Sequence, residues 1–299
     1  MAHARPNLFL IGAMKSGTSS LHTQLAAHPE IFMSAPKEPC YFVDPEILKK
    51  EWPEMWGLGY WKSEASYLSL FSSAGDAKIL GESSTDYSKL PLYDSVSERI
   101  WAFNPDARFI YIMRDPIERT LSHYWHMAEH RNERRPLMEA ICQEPHYQDV
   151  SHYAMQLSPY LDRFGHEQIF ITTFEEYKNS PDTVLTEIYD WLDVSPDHKP
   201  GQRAERQNVT PAAVTQTRGK GYINQFRYSR FWEQLGPHVP RAIRNIGRSL
   251  AEKKIVRKEV DQSEAINYLR PIQQAETDAL IKLLGREFPQ WKTLYDINK

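Results

Sequence analysis

The chain passes from an apolar run into a helical pattern through Gly12-Ala13-Met14-Lys15-Ser16-Gly17-Thr18-Ser19-Ser20. The run before it, residues 7–12, is short and ends at glycine, which predicts a buried strand. Residues 18–27 carry Leu21 and Leu25 at helical spacing, so they are predicted to form a helix. A loop at this position presents backbone N–H groups and the positive end of the helix dipole, which favours phosphate binding.

The spacing of this loop differs from that of the nucleoside triphosphatase P-loop. Lys15 precedes Gly17, and no glycine–lysine pair leads into Thr18. A P-loop kinase, which would need that lysine and magnesium-binding carboxylates, is therefore a rival enzyme class that EDTA sensitivity would reveal. The structural alternative is a plain turn in which Thr18 or Ser19 caps the helix.

Outward from this loop, strand-like and helix-like segments alternate. Further strands are predicted at 77–81, 108–113 and 168–172, and helices at 116–130, 151–164 and 181–191. Alternation of this kind implies parallel strands joined by crossover helices. We therefore expect an α/β fold, a three-layer sandwich around a mainly parallel sheet.

The C-terminal third has a different character. Residues 201–220 are polar and lack periodicity, which predicts a long connection or flexible loop. Helices are expected at about 223–235, 241–251 and 263–284. At 299 residues we expect one domain, 1–299, with its core at about 7–192 and a flexible and helical part at about 200–299.

Bulk composition excludes several classes of protein. A hydrophobic fraction of 41% with 25% charged residues is typical of a folded chain, and a net charge of −3 argues against a general nucleic-acid binder. Cys40 and Cys142 form neither a metal-ligand cluster nor a disulfide framework, so a reducing compartment is expected. No apolar run is long enough for a signal sequence or a membrane span, and we therefore expect a cytoplasmic protein.

A second strand-to-helix junction lies at Arg114-Asp115-Pro116, with Ser122 eight residues after the arginine. A guanidinium presents a fork of donors to phosphate, and a hydroxyl in the following helix can add another. The alternative for Arg114 is an internal pair with Asp115 or Glu118, and for Ser122 a solvated helix position.

The two junctions together resemble the sulfotransferases that use 3′-phosphoadenosine-5′-phosphosulfate (PAPS). The resemblance covers about residues 7–192 and returns in the tail at 285–291. It implies a P-loop-like fold, PAPS as donor and no metal. It also implies that Lys15 contacts the oxygen bridging phosphate and sulfuryl group, and that the 5′-phosphate is bound by Ser16, Gly17, Thr18 and Ser19.

On the 3′-phosphate side, the resemblance assigns Arg114 and Ser122. It also places Tyr153, in the stretch Ser151-His152-Tyr153, near the adenine and the 3′-phosphate. The alternative for Tyr153 is a core position on an amphipathic helix.

Sulfuryl transfer is an in-line displacement that needs a base for the acceptor proton and a cation for the leaving phosphate. The run Lys37-Glu38-Pro39-Cys40-Tyr41-Phe42 resembles the branch with heparan sulfate and other carbohydrate sulfotransferases, in which this glutamate is the proposed base. Glu38 is therefore the predicted base, and a solvated loop carboxylate is its alternative. The aryl and steroid branch uses a histidine in the region corresponding to 81–87, which here contains none.

This region also departs from the carbohydrate branch, because Ser83 stands where several of its members have lysine. Glu82 and Asp86 are secondary candidates for acceptor contact. Aromatic residues that could stack on a sugar, or simply form a hydrophobic lid, are Trp52, Trp56, Tyr60 and Trp61.

The acceptor stays open among a carbohydrate, a lipid and a small molecule, with a hydroxyl or an amine as the accepting group. The family closes its cofactor site with a basic loop, for which 218–220 and 253–258 are candidates. The basic stretch 241–258 is expected to be a solvated helix face or a surface for anionic lipid. A non-catalytic nucleotide-binding protein of the same fold is the rival from another class, and the oligomeric state stays open.

Overall fold

The computed structural model describes residues 5–131, 133–198, 213–217, 252–256 and 260–296. Its centre is a five-stranded sheet with the order β2-β3-β1-β4-β5, in which every pair of neighbours is parallel. The strands are β1 Leu8–Gly12, β2 Ile31–Met33, β3 Ile79–Ser83, β4 Arg108–Met113 and β5 Ile169–Thr173. The α/β prediction with a parallel sheet is confirmed.

Helices connect the strands and cover the sheet. They are α1 Thr18–Ala26, α2 Pro45–Glu51, α3 Pro53–Leu58, α4 Glu64–Leu68, α5 Val96–Phe103, α6 Pro116–His130, α7 Leu137–Gln143, α8 His146–Asp149, α9 Tyr153–Phe164, α10 Phe174–Asn179, α11 Pro181–Trp191, α12 Ser263–Leu284 and α13 Lys292–Tyr295. Short 3-10 helices lie at Tyr60–Lys62, Ser69–Phe71, Thr85–Ser88 and His166–Gln168. The helices predicted at 223–235 and 241–251 lie outside the described residues.

Both faces of the sheet are buried, as a three-layer sandwich requires. Successive side chains of a strand point to opposite faces. Phe9 and Ile11 of β1 accordingly belong to one hydrophobic cluster, with α6, α9 and α12, whereas Leu8 and Leu10 belong to another, with α1 and α11. The near-continuous apolar runs of β1 and β4 reflect this double burial.

One expectation for the C-terminal third is wrong. The polar stretch 201–220 contains a strand, β6 Ala213–Thr217, which pairs antiparallel with β7 Glu252–Val256. The strand β7 follows the helix predicted at 241–251 and lies inside the basic stretch 241–258, so its residues 252–256 are not part of a helix face. These strands pair across more than thirty intervening residues, so local periodicity does not register the pairing.

Among the residues that the structure describes, no helix combines the length and apolar character needed to cross a bilayer.

Candidate active site

The loop between β1 and α1 forms one wall of the site. Gly17 occupies the N-cap position of α1 with a left-handed backbone (φ 95°), and Lys15 is also left-handed (φ 71°). Gly17 has no side chain with which to cap α1. The capping alternative for Thr18 and Ser19 is therefore wrong, because both residues lie inside the first turn.

Two features of the loop fit an anionic ligand. The hydroxyl of Ser16 is fully buried, and its Oγ has no hydrogen-bond partner among the described residues. A buried hydroxyl without a hydrogen-bond partner lowers the stability of the fold, so a ligand that bonds to it is favoured. Gly17 lies so close to the ring of Phe174 that a Cβ would come within 2.9 Å of Phe174 Cδ2. A buried donor beside an uncapped helix N-terminus suits the oxygens of a phosphate.

Arg114 follows β4 and reaches back to this loop. Its Nη1 donates to the carbonyl of Lys15 at 3.3 Å, and its Nη2 pairs with Glu118 Oε2 at 3.2 Å. Its guanidinium also lies over the ring of Phe174, with Cζ 5.2 Å from the centroid. The internal pair with Glu118 is thus present, and it holds the guanidinium next to the loop.

Ser122 lies on the helix that follows Arg114, and Tyr153 contacts the Arg114 backbone. Ser122 is buried on α6, so the solvated alternative for it is wrong. The buried hydroxyl of Tyr153 donates to the carbonyl of Arg114 at 2.7 Å and accepts from the Arg114 N–H at 3.3 Å. Burial raises the pKa of this phenol, which keeps it a neutral donor. In this structure Tyr153 therefore fixes the turn that carries Arg114.

Asp115 joins this turn to the C-terminal tail. Its Oδ1 accepts from Ile117 N and Glu118 N as the N-cap of α6. Its Oδ2 accepts from Thr293 N at 2.8 Å and Leu294 N at 3.1 Å. Sequence reasoning missed this double role, because the Arg-Asp-Pro pattern indicates only the cap.

Glu38 is held by a defined set of contacts. Its Oε1 lies 2.6 Å from Lys37 Nζ, and its Oε2 accepts from Thr85 N at 2.6 Å. Its backbone N–H donates to the carbonyl of Ser83 at 2.8 Å, which fixes it to the end of β3. The side chain is only 12% exposed, so the solvated alternative is wrong.

Lys37 links Glu38 to the loop. Its Nζ lies 3.4 Å from the hydroxyl of Thr18, the first residue of α1, while it pairs with Glu38. Sequence reasoning did not assign this residue a role. Its position directly before the predicted base was the available signal.

The secondary acceptor candidates are already engaged. Glu82 is fully buried and accepts hydrogen bonds from Tyr67 (2.8 Å), Tyr87 (2.7 Å) and Ser84 (2.6 Å). Burial outweighs these bonds and raises the pKa of Glu82 to about 7. Asp86 is buried in an ion pair with Lys89. Neither carboxylate is placed for acceptor contact.

Ser83, at the end of β3, contacts the first helix. Its buried hydroxyl lies 2.7 Å from Nδ1 of His22 on α1. Burial, helped by the charge of Lys37, lowers the pKa of His22 to about 4, so the ring is neutral at physiological pH.

The tryptophan-rich segment forms a partly buried layer on the core. Trp56 and Trp61 stack with their centroids 5.3 Å apart, and Trp61 Nε1 donates to the carbonyl of Trp56. Lys49 lies over Trp56 and Arg131 over Trp52. These contacts agree with the lid alternative and leave the stacking role untested.

Other predicted features lie partly outside the described residues. Of the two candidates for the closing loop, 218–220 is outside, and 253–256 belong to β7, whose backbone alone is described.

Within the described part of the chain, no group of three or more histidine, cysteine or acidic residues is arranged to hold a metal ion.

A cavity of about 450 Å³ lies beside the edge strand β5 rather than at the loop. Its lining includes Glu175, Glu176 and Arg286, but neither Lys15, Glu38 nor Arg114. The candidate site lies instead at the carboxyl ends of β1, β3 and β4, where Lys15, Glu38 and Arg114 are held.

Comparisons with known proteins point to one family. The model of the sulfotransferase family matches residues 6–198. Membrane-associated sulfotransferase kil1 of Dictyostelium discoideum is 32% identical over 119 residues, covering 40% of this chain and 22% of that protein. Carbohydrate sulfotransferase 15 of Homo sapiens is 23% identical over 247 residues, covering 64% and 44%. The chain thus spans less than half the length of these two curated relatives.

A solved structure has the same fold. The crystal structure of a sulfotransferase from Alicyclobacillus acidocaldarius aligns with a TM-score of 0.71 and 24% identity, covering 97% of this chain and 99% of that one. The family model alone covers well over half of the 299 residues. From its strand order, its loop and these matches, the chain belongs to the sulfotransferase family.

Proposed function

We propose that this protein transfers the sulfuryl group of PAPS to a hydroxyl or amine of an acceptor. One observation carries the proposal: the phosphate loop, the candidate base and the candidate 3′-phosphate arginine form a single hydrogen-bonded unit. Arg114 bonds to the carbonyl of Lys15, and Lys37 joins Glu38 to Thr18. PAPS carries phosphates at its 5′ and 3′ positions and a sulfuryl group that must meet the acceptor, so a site that brings these three contacts together suits it.

The chain's own residues would hold the donor as follows. The 5′-phosphate would lie at the N-terminus of α1, against Ser16, Gly17, Thr18 and Ser19, where the uncapped helix end and the buried Ser16 hydroxyl offer donors. The 3′-phosphate would lie at Arg114 and Ser122. Tyr153 would act by holding the backbone of Arg114 in place.

When bound, PAPS supplies the sulfuryl group, whose bond to the 5′-phosphate oxygen breaks as the bond to the acceptor atom forms. Glu38 takes the proton that the accepting hydroxyl or amine loses. Lys15 stabilises the negative charge that grows on the departing phosphate. Adenosine 3′,5′-bisphosphate and the sulfated acceptor leave, and Glu38 returns its proton to solvent.

Two observations favour a carbohydrate acceptor. Relatives are named carbohydrate sulfotransferase and heparan sulfate N-deacetylase/N-sulfotransferase, which favours a carbohydrate over a lipid or another small molecule. The stacked Trp56–Trp61 pair could accommodate a sugar face.

Transfer of label from PAPS to a panel of carbohydrate, lipid and phenolic acceptors tests the proposal. We expect transfer that EDTA leaves unchanged and that Glu38→Gln abolishes without loss of donor binding. Donor binding without transfer to any acceptor would favour a silent nucleotide-binding protein. EDTA-sensitive phosphoryl transfer from ATP would favour a kinase.

A further inference from the structure

Lys37 occupies an unusual place for a cation. Its Nζ lies 3.4 Å from the hydroxyl of Thr18, at the N-terminal end of α1, and its side chain is only 23% exposed. The N-terminus of a helix carries the positive end of the helix dipole, which disfavours a lysine there and favours an anion. The proximity of the same charge to His22 helps to lower that histidine's pKa.

One carboxylate oxygen compensates this positive charge. Glu38 Oε1 lies 2.6 Å from Lys37 Nζ. The other oxygen, Oε2, is bonded separately to Thr85 N, and the Glu38 backbone is bonded to Ser83. Glu38 would therefore keep its position if Lys37 turned to another anion.

We infer that Lys37 is a shared cation, which pairs with Glu38 and also binds the 5′-phosphate end of the donor. This inference rests on the proposed function, because it places that phosphate at the N-terminus of α1. An ammonium has three donors and a flexible stem, so it can follow the stronger anion without movement of the backbone. Donor binding then releases Glu38 Oε1, the oxygen that takes the acceptor proton.

The shared cation gives Glu38 a second effect, on donor affinity. While Glu38 is a carboxylate, it competes with the donor's 5′-phosphate for Lys37. Replacing the carboxylate by a neutral amide removes that competition. A residue that only stabilises the fold would not improve binding when it is mutated.

Calorimetric titration of two ligands tests this coupling. Adenosine 3′,5′-bisphosphate carries the 5′-phosphate, and adenosine 3′-monophosphate lacks it. We expect Lys37→Met to weaken the bisphosphate about 10-fold or more, as for loss of one charge-assisted hydrogen bond, and to leave the monophosphate unchanged. Lys37→Arg should restore most of the loss.

Glu38→Gln should bind the bisphosphate about 3-fold to 10-fold tighter than wild type, with no gain for the monophosphate. In the double variant with Lys37→Met, most of that gain should disappear, because no cation remains to be released. A gain that persists in full in the double variant would show plain charge repulsion and overturn the inference.

The chain offers a matched control in Lys50 and Glu51, another adjacent lysine–glutamate pair, 3.0 Å apart and more exposed. Lys50→Met should change neither affinity. If wild type fails to bind the bisphosphate, the proposed function fails. If wild type binds it but Lys37→Met weakens both ligands equally or neither, the inference alone fails, and thermal melting of each variant separates this from misfolding.

Discussion

At the scale of single residues, the two cations of the site have different tasks. Lys15 would act on charge that grows during the reaction, whereas Arg114 would act on a phosphate that is present throughout. Lys15→Ala should lower kcat by about 10²–10³ with little change in donor affinity. Arg114→Ala should weaken donor binding about 10-fold to 100-fold. Steady-state kinetics with calorimetry measure both, and equal effects on kcat and affinity in both variants would contradict the assignment.

Glu82 makes a prediction about stability. Its folded pKa, about 7, lies above the ordinary value because of burial, so the fold favours the protonated form. The stabilisation of the fold by protonated Glu82 is fully present below the ordinary pKa of a glutamate and is lost as pH rises through about 7. Between pH 5.5 and 8, wild type should lose about 1–3 kcal/mol more unfolding free energy than Glu82→Gln.

Urea unfolding at the two pH values measures this difference. Glu98→Gln on the exposed face of α5 is the matched control, and it should follow wild type. Parallel pH dependence of wild type and Glu82→Gln would mean that Glu82 is not the buried group described above.

The sequence could single out Lys15 and Arg114 because each follows a predicted strand, and Glu38 because its segment resembles one branch of the family; their roles stay predictions. The sequence could not show that Glu82 is buried, because its burial depends on contacts between separate elements. One of its hydrogen-bond donors is Tyr67, which lies fifteen residues earlier on another element. Its position in the region that corresponds to the base of the aryl and steroid branch made Glu82 a candidate for acceptor contact. The fold makes it a buried acceptor for two tyrosines instead.

At the scale of elements, the start of α1 depends on Gly17. An alanine there would have to adopt a positive φ and would bring its Cβ within 2.9 Å of Phe174. Gly75 provides a control, because its φ is +58° but a Cβ there would meet nothing within 4 Å. Gly75→Ala should lower the free energy of unfolding by about 1 kcal/mol, from backbone strain alone.

Gly17→Ala should lower the free energy of unfolding by about 2–4 kcal/mol and also weaken binding of adenosine 3′,5′-bisphosphate. The extra cost arises because Phe174 must move, and Arg114 lies over its ring. Thermal melting and calorimetry measure the two effects. Equal stability of the two variants would show that the contact with Phe174 is not tight.

Element prediction succeeded where periodicity was long or the run fully apolar. The bounds of β4, α6, α11 and α12 match the predicted ranges. The strand β2 was missed, because Ile31–Met33 has only three residues and its identity as a strand comes from pairing with β3. The pair β6–β7 was missed for the same reason, since its partners are distant in sequence.

At the scale of the whole molecule, the C-terminal tail packs against the residue that holds Arg114. Trp291 is buried, stacks on Phe288 at 4.3 Å and lies 5.7 Å from the ring of Tyr153, which holds Arg114. Trp291→Ala should destabilise the protein by about 3–5 kcal/mol and lower donor affinity. Tyr295→Ala, at a side chain that is 42% exposed, should cost far less.

Denaturant unfolding and calorimetry at a temperature where both variants are folded test this link. Undiminished donor affinity in Trp291→Ala would mean that the tail supports the fold but not the site.

No local pattern could have revealed the bond from Thr293 to Asp115, because 178 residues separate the two.

The central claim is that the unit formed by the loop, Glu38 and Arg114 is a site for a nucleotide with phosphates at both its 5′ and 3′ positions. Calorimetric titration of wild type with adenosine 3′,5′-bisphosphate, beside AMP and ATP, tests it most directly. The predicted result is tight binding of the bisphosphate and weak binding of AMP, which lacks the 3′-phosphate. No binding of the bisphosphate, or a preference for ATP, would contradict the claim.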